Sequence, residues 1–264
     1  MDYSKQDLLD AYRRAGVREG KVVYVTGNFG RLGRYESKDK AKLFQDHFDV
    51  LMELLGETGT LVVPTHSFKL VNTDEPFDPH LTPSETGPFS DFIRQQDKAC
   101  RQFHPFSSST AIGAQAQEIC GGKSRHVYGA GTPFDAMVKS DALFVALGKE
   151  ARNSVSLVHH VELAAAVPYR YVKEFMKPVM RQDSVQVEPF YLHVLYRDME
   201  VERDRNVTIM ASFEQQHKLH KTPLGRSFIE SFSMSQFYDH VLQLMIENPF
   251  IWLRKEPQTK PFQK

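Results

Sequence analysis

Two hydrophobic periods alternate through the first 64 residues, and this alternation confines the chain to a layered α/β fold. Residues 5–15 carry helical spacing: Leu8, Leu9, Tyr12 and Ala15 share one face. Ser4 is placed to cap this helix with Asp7 in the capping-box position, and Gly16 ends it. Lys21-Val22-Val23-Tyr24-Val25 is short and β-branched, the pattern of a buried strand. It runs into Thr26-Gly27-Asn28-Phe29-Gly30-Arg31-Leu32-Gly33, a loop with three glycines. Helical spacing returns at Ala41, Phe44, Phe48, Leu51 and Leu55, with Ser37 as the expected cap and Gly56 as the stop. Thr60–Pro64 is a second short strand.

Residues 66–110 break this rhythm. Pro76, Pro79, Pro83, Pro88 and Pro105 punctuate them, while Phe68, Phe77, Phe89, Phe92, Phe103 and Phe106 supply enough apolar surface to order them. A long ordered loop region with one helix near Ser90–Gln96 is expected. Asp141–Gly148 reads as a strand, and a helix from His159 to Val167 is stopped by Pro168. Residues 191–196 and 205–211 are expected to be paired strands. A last helix runs from about Ser235 to Glu247, with Phe237, Val241, Leu244 and Met245 inward and Asn248-Pro249 as the stop. Residues 255–264 are expected to be a loose tail. No composition shift marks a second domain, so residues 1–264 read as a single domain.

Composition removes several functions. Lys and Arg number 33 against 33 Asp and Glu, without the basic excess of a nucleic-acid binder. No apolar run approaches the ~18 residues of a membrane span, and the first residues lack the basic and apolar regions of a signal peptide. Two cysteines, Cys100 and Cys120, make neither a disulfide framework nor a four-cysteine zinc site. A cytoplasmic setting is expected.

Three segments could carry chemistry. The glycine loop lets a ligand approach the backbone closely and offers N–H groups to oxygen, although it matches neither a Walker loop nor a dinucleotide fingerprint. As a bare turn it needs no ligand. Arg101-Gln102-Phe103-His104-Pro105-Phe106-Ser107-Ser108-Ser109 gathers a cation, an imidazole and three hydroxyls, either as a cradle for an anionic or pantetheine-bearing ligand or as a solvated loop. In His159-His160-Val161-Glu162, residues 159 and 162 face the same side of a helix. A carboxylate on one imidazole nitrogen fixes the tautomer and leaves the other as a base, though an exposed ion pair has the same spacing. His160 points about 100° away. The pair offers a zinc ion only two ligands with no clear third. His217 and His220 lie in a segment that reads as solvated. Cys120 reads as a small buried residue near a helix end, and no Gly-x-Ser-x-Gly elbow is present.

Taken in order, these pieces resemble the aminoglycoside 3-N-acetyltransferase family over roughly residues 5–253. Leu55-Gly56-x-x-Gly59-Thr60-Leu61-Val62-Val63-Pro64-Thr65 is similar to the family's strand ending in Pro-Thr. Phe77-Asp78-Pro79, Thr82-Pro83 and Thr86-Gly87 resemble its next landmarks. Arg101-x-x-His104-Pro105-x-x-Ser108 resembles Arg-Ser-x-His-Pro-x-x-Ser, and Gly131-Thr132-Pro133-Phe134 stands where the family has Gly-x-Ser-Pro. His159-x-x-Glu162 resembles its His-x-x-Glu, and Leu224-Gly225-Arg226 and Asn248-Pro249 fit the C-terminal part. The family's His-Ser-Ser-Leu is here Thr26-Gly27-Asn28-Phe29.

The resemblance implies a central mixed sheet with flanking helices, distinct from the commoner acetyltransferase fold. It implies acetyl-CoA as donor, with Thr26, Gly27, Asn28, Phe29, Gly30, Arg31, Arg101, His104, Ser108 and Thr132 lining its cleft. It also implies His159 and Glu162 as the catalytic pair, with no metal. The acceptor would be a small-molecule amine, and the protein a monomer or homodimer. Aminoglycosides are polycations and call for an acidic cleft, for which Asp78, Glu85 and Asp91 are candidates along one wall. The neutral chain equally suits an amino sugar destined for a polysaccharide or carried on a nucleotide, as in a biosynthetic N-acyltransferase. A metal-dependent hydrolase using His159, His160 and Glu162, and a non-catalytic CoA- or sugar-binding protein, are the readings from other classes.

Overall fold

The computed structural model describes residues 2–259. Its centre is a mixed seven-stranded sheet flanked by helices. The strands are β1 (Val22–Gly27), β2 (Thr60–Pro64), β3 (Cys100–Arg101), β4 (Ser109–Gly113), β5 (Leu143–Leu147), β8 (His220–Leu224) and β9 (Ser227–Ser233). Their order is β3-β4-β2-β1-β5-β9-β8. β1 pairs in parallel with β2 and β5, and the outer strands add antiparallel.

The apolar runs in β1, β2 and β5 are continuous because both faces of the sheet are covered. Val22 and Tyr24 of β1, Val62 of β2, and Phe144 and Ala146 of β5 belong to one core cluster. Val23, Val25, Leu61, Val63, Val145 and Leu147 belong to the other. Helices α1 (Lys5–Arg14) and α2 (Lys40–Leu55) cover the second cluster with Leu8, Tyr12, Val50 and Leu51. The first is covered by α4 (Ala116–Cys120), α5 (Pro133–Lys139), α6 (Leu157–Ala164) and α8 (Met234–Glu247) through Ile119, Phe134, Val161 and Phe237.

Local rules account for most boundaries. The Ser4–Asp7 capping box of α1 is complete in both directions. Helix α2 is capped by Asp39, not Ser37 as expected: the Asp39 carboxylate accepts from Ala41 N at 2.8 Å, while Ser37 Oγ supports Asp39 N. The 66–110 region contains α3 (Pro88–Arg94) near the expected helix, but also β3, only two residues long, and the start of β4, too short to show a period in the sequence.

A second sheet has two strands, β6 (Arg170–Arg181) and β7 (Ser184–Leu195). The expected pairing of 191–196 with 205–211 is therefore wrong. Ile209, Met210 and Phe213 are buried at helical spacing, and Val207–Gln216 forms α7. The β6–β7 hairpin anchors the irregular region. Phe77 N donates to Pro178 O, Met180 N to Phe77 O, and Phe77, Phe106, Val179 and Phe190 share a third core cluster. Of the C-terminal residues, Lys255 pairs with Glu202 and Pro257 is buried; residues 260–264 of the expected tail lie outside the described residues. Among the described residues no helix is long and apolar enough to cross a membrane.

Candidate active site

Helix α6 places His159 and Glu162 on one face; it spans Leu157–Ala164 rather than reaching Val167, because the chain turns left-handed at Ala166 (φ +50°) before Pro168. The Glu162 side chain is fully buried. Three contacts make that tolerable. His159 Nδ1 lies 2.6 Å from Oε2, Tyr169 OH donates to Oε1 at 2.9 Å, and Arg170 Nε stands 2.7 Å from Oε2 without hydrogen-bond alignment. Arg170 also donates to His193 O and rests on the Trp252 ring. Burial alone would raise the Glu162 carboxyl; His159, Arg170 and Tyr169 outweigh it and hold the carboxyl below its ordinary value. Tyr169 is pushed far up, first by burial and then by the Glu162 charge.

The tautomer of His159 follows from its neighbours. Arg170 Nη2 lies 3.2 Å from Nδ1 and can only donate, whereas Glu162 can only accept. The shorter, charge-assisted contact is with Glu162, so Nδ1 carries the proton. Nε2 makes no hydrogen bond among the described residues and is left as the basic atom. The His159 side chain is 25% exposed. It lines a cavity of about 420 Å³ with residues 152–156, Val158, Arg203, Arg205, Asn206 and Trp252. His160 is turned elsewhere: its Nδ1 accepts from Gly129 N, it stacks on Phe134, and burial lowers its pKa to about 4. Among the described residues no three His, Cys, Asp or Glu side chains group to hold a metal ion.

The glycine loop sits at the end of β1, where Asn28 N donates to Leu147 O. A side chain at Gly27 would collide with Leu147, and one at Gly148 (φ +62°) with Asn28 O, so this close approach requires both glycines. Thr26, Gly27, Asn28, Phe29 and Gly30 line a cavity of about 620 Å³. Its walls include Phe44, Phe89, Lys40 and Lys149. Burial, then the Arg31 charge, lowers the Lys149 pKa. Arg31 itself is exposed and does not line the cavity.

The Arg101–Ser108 segment is not in either cavity. Arg101 donates to Ser108 Oγ and to the carbonyls of Thr65, Pro79 and Thr82, and lies 5.0 Å over Phe77. Burial lowers its pKa to about 10. His104 is fully buried, its Nδ1 accepting from Phe106 N and Ser107 N, and burial lowers its pKa to about 3. Ser108 Oγ donates to Thr65 O. Thr132 caps α5, accepting from Asp135 N and donating to Gly129 O. These four residues hold the chain together locally. Cys120 is buried and Cys100 partly so, and burial raises both thiols.

Sequence reasoning missed Tyr169, Arg170 and Trp252 around Glu162, and Glu230, whose carboxylate accepts from Ala151 N and anchors the 148–156 connection. Proximity to Pro168 was the one available signal for Tyr169 and Arg170.

The fold is similar to that of AAC(3)-IVa apoenzyme, with TM-score 0.78, 21% identity, and coverage of 97% of this chain and 93% of that one. Sisomicin-bound AAC-VIa gives TM-score 0.80 at 18% identity, covering 94% and 99%. AAC-IIIb in binary complex with CoASH gives 0.79 at 17%, covering 98% and 99%. No curated protein sequence matches significantly. The sequence profile described as aminoglycoside 3-N-acetyltransferase matches residues 25–246, a span that runs from the glycine loop's strand through the His159–Glu162 helix to α8. On that match the chain belongs to the aminoglycoside 3-N-acetyltransferase family, a family of enzymes.

Proposed function

We propose that the chain is an acetyl-CoA-dependent N-acetyltransferase in which His159 is the general base and Glu162 its orienting partner. The observation that carries this reading is the buried Glu162 carboxylate fixed on His159 Nδ1, with Nε2 making no hydrogen bond among the described residues and the side chain lining a cavity. An amine nucleophile must lose a proton as it bonds to the acetyl carbon. Nε2 accepts that proton, the Glu162 charge stabilises the imidazolium, and the imidazolium returns the proton to the departing thiolate. The products are an N-acetylated amine and free CoA, and this direct transfer passes through no covalent enzyme intermediate.

The apolar cavity at Thr26–Gly30 suits the pantetheine arm of the donor, with Lys40 and Lys149 available to phosphate. The CoA complex of AAC-IIIb supports the donor, and the sisomicin complex of AAC-VIa supports an amine-bearing sugar as acceptor. The cytoplasm, where acetyl-CoA is made and used, is the compartment that fits.

The test is thiol release from acetyl-CoA with a panel of aminoglycosides and amino sugars. His159→Ala should lower kcat/KM by about 10²–10⁴-fold while leaving acetyl-CoA binding intact. Undiminished turnover in that variant, or no saturable acetyl-CoA binding to the wild type, would overturn the reading.

A further inference from the structure

The cavity holding His159 has the wrong charge for a polycation. Arg152, Arg203 and Arg205 line it, and none of its lining residues is a carboxylate. The three acidic residues expected along an acceptor wall are engaged elsewhere. Asp78 accepts from His80 N and Leu81 N, Glu85 from Lys69 N, and Asp91 pairs with Arg94. None of the three lines this cavity.

The arginines differ in what neutralises them. Arg152 shares its charge with Glu150 at 2.7 Å. Arg203 and Arg205 have no ion-pair partner among the described residues. Asp204, between them in sequence, is turned to the start of α7, where its Oδ2 accepts from Thr208 N. The two guanidinium groups therefore remain free to take an anion.

Their backbone is nevertheless fixed. Arg205 and Asn206 both take left-handed conformations, φ +59° and +62°. The buried Asn206 side chain donates to Arg152 O and accepts from Trp252 Nε1, so the Arg152 segment, the Arg203–Asn206 segment and Trp252 meet on one tie. Trp252 sets the scale. His159 packs on the indole at 5.4 Å and Arg203 lies 5.9 Å over it. The base and the free cation are thus within reach of one small molecule.

We propose that the acceptor is an amino sugar bearing a phosphate, held by Arg203 and Arg205 while its amine meets His159 Nε2. This rests on the acetyl-transfer reading above and names its substrate class. Guanidinium groups bind phosphate through paired, charge-assisted N–H bonds, which both hold and orient the acceptor. An unmodified aminoglycoside would be repelled by the same groups.

The experiment compares hexosamine phosphates and a nucleoside-diphosphate-linked amino sugar with the unphosphorylated hexosamine and an aminoglycoside, by thiol release and by calorimetric binding. Phosphorylated acceptors should have kcat/KM at least tenfold higher, mainly through KM, and the two phosphorylated classes tell a sugar phosphate from a nucleotide. Arg203→Ala combined with Arg205→Ala should raise that KM tenfold or more and abolish saturable binding of the preferred probe. Arg18→Ala, on an exposed residue outside both cavities, is the control. Equal turnover of phosphorylated and unphosphorylated amines would overturn this inference and leave acetyl transfer standing. A rise in KM for acetyl-CoA, with none for acetyl-pantetheine, would also overturn it, because the arginines would then hold the donor's phosphates. No thiol release with any amine would remove both readings.

Discussion

The His159–Glu162 cluster and the Arg101–Ser108 segment are built from similar parts. Each has an arginine, an imidazole and oxygen acceptors, and each reads in the sequence as a binding or catalytic element. Their imidazoles end in opposite states. His159 gives one nitrogen to a carboxylate and keeps the other for a cavity. His104 is sealed, with Nδ1 held by two backbone N–H groups, and Arg101 gives its guanidinium to carbonyls. What distinguishes a reactive cluster from a structural one is an unengaged atom within reach of solvent. Residue type does not decide it.

The comparison can be broken from either side. The largest effect belongs to His159→Ala: the loss in kcat/KM given above, with a melting temperature within a few degrees of wild type, because Arg170 and Tyr169 still hold Glu162. Arg101→Ala should do the reverse. It strips buried carbonyls of a charged donor and should cost about 3 kcal/mol of stability. For a chain of this size that is a fall of roughly 6–12 °C in a thermal melt. A loss of activity without a fall in melting temperature would return Arg101 to the donor site. His104→Ala leaves two buried N–H groups unpaired and should cost about 1–3 kcal/mol by denaturant titration. Thr132→Ala removes a helix cap, expected at about 1 kcal/mol; a larger effect on KM for acetyl-CoA than on stability would place Thr132 at the donor.

Acid sharpens the same contrast. Burial lowers His47 and His104 to about 3, and His66, His160 and His193 to about 4. The unfolded chain binds these protons near the ordinary value of ~6.5, so between that pH and about 3 it binds more protons than the folded chain. Stability is therefore complete above pH ~6.5 and declines as the pH falls. Melts between pH 8 and 5 should show this decline, and a flat profile would contradict the burial of these rings.

The sheet's centre was legible because β1, β2 and β5 are short β-branched runs, and α6 because His159 and Glu162 sit three apart on an apolar helix. The 205–211 segment resembles a strand because Val207, Thr208 and Ile209 carry β propensity, while Phe213, which reveals the helical period, lies beyond residue 211. The role of Arg101 was hidden because its partners are the backbone carbonyls of Thr65, Pro79 and Thr82, which no residue pattern announces. The surroundings of Glu162 were hidden because Trp252 arrives from 90 residues away.

Trp252 has one more consequence. It is the only tryptophan in the chain, and it lies against His159, Tyr169, Arg170 and Arg203. Excited selectively, its indole makes the native emission spectrum a report from this one place. A ligand seated beside His159 would shift or quench that signal with no dye attached, so occupancy can be followed in real time in the unmodified protein.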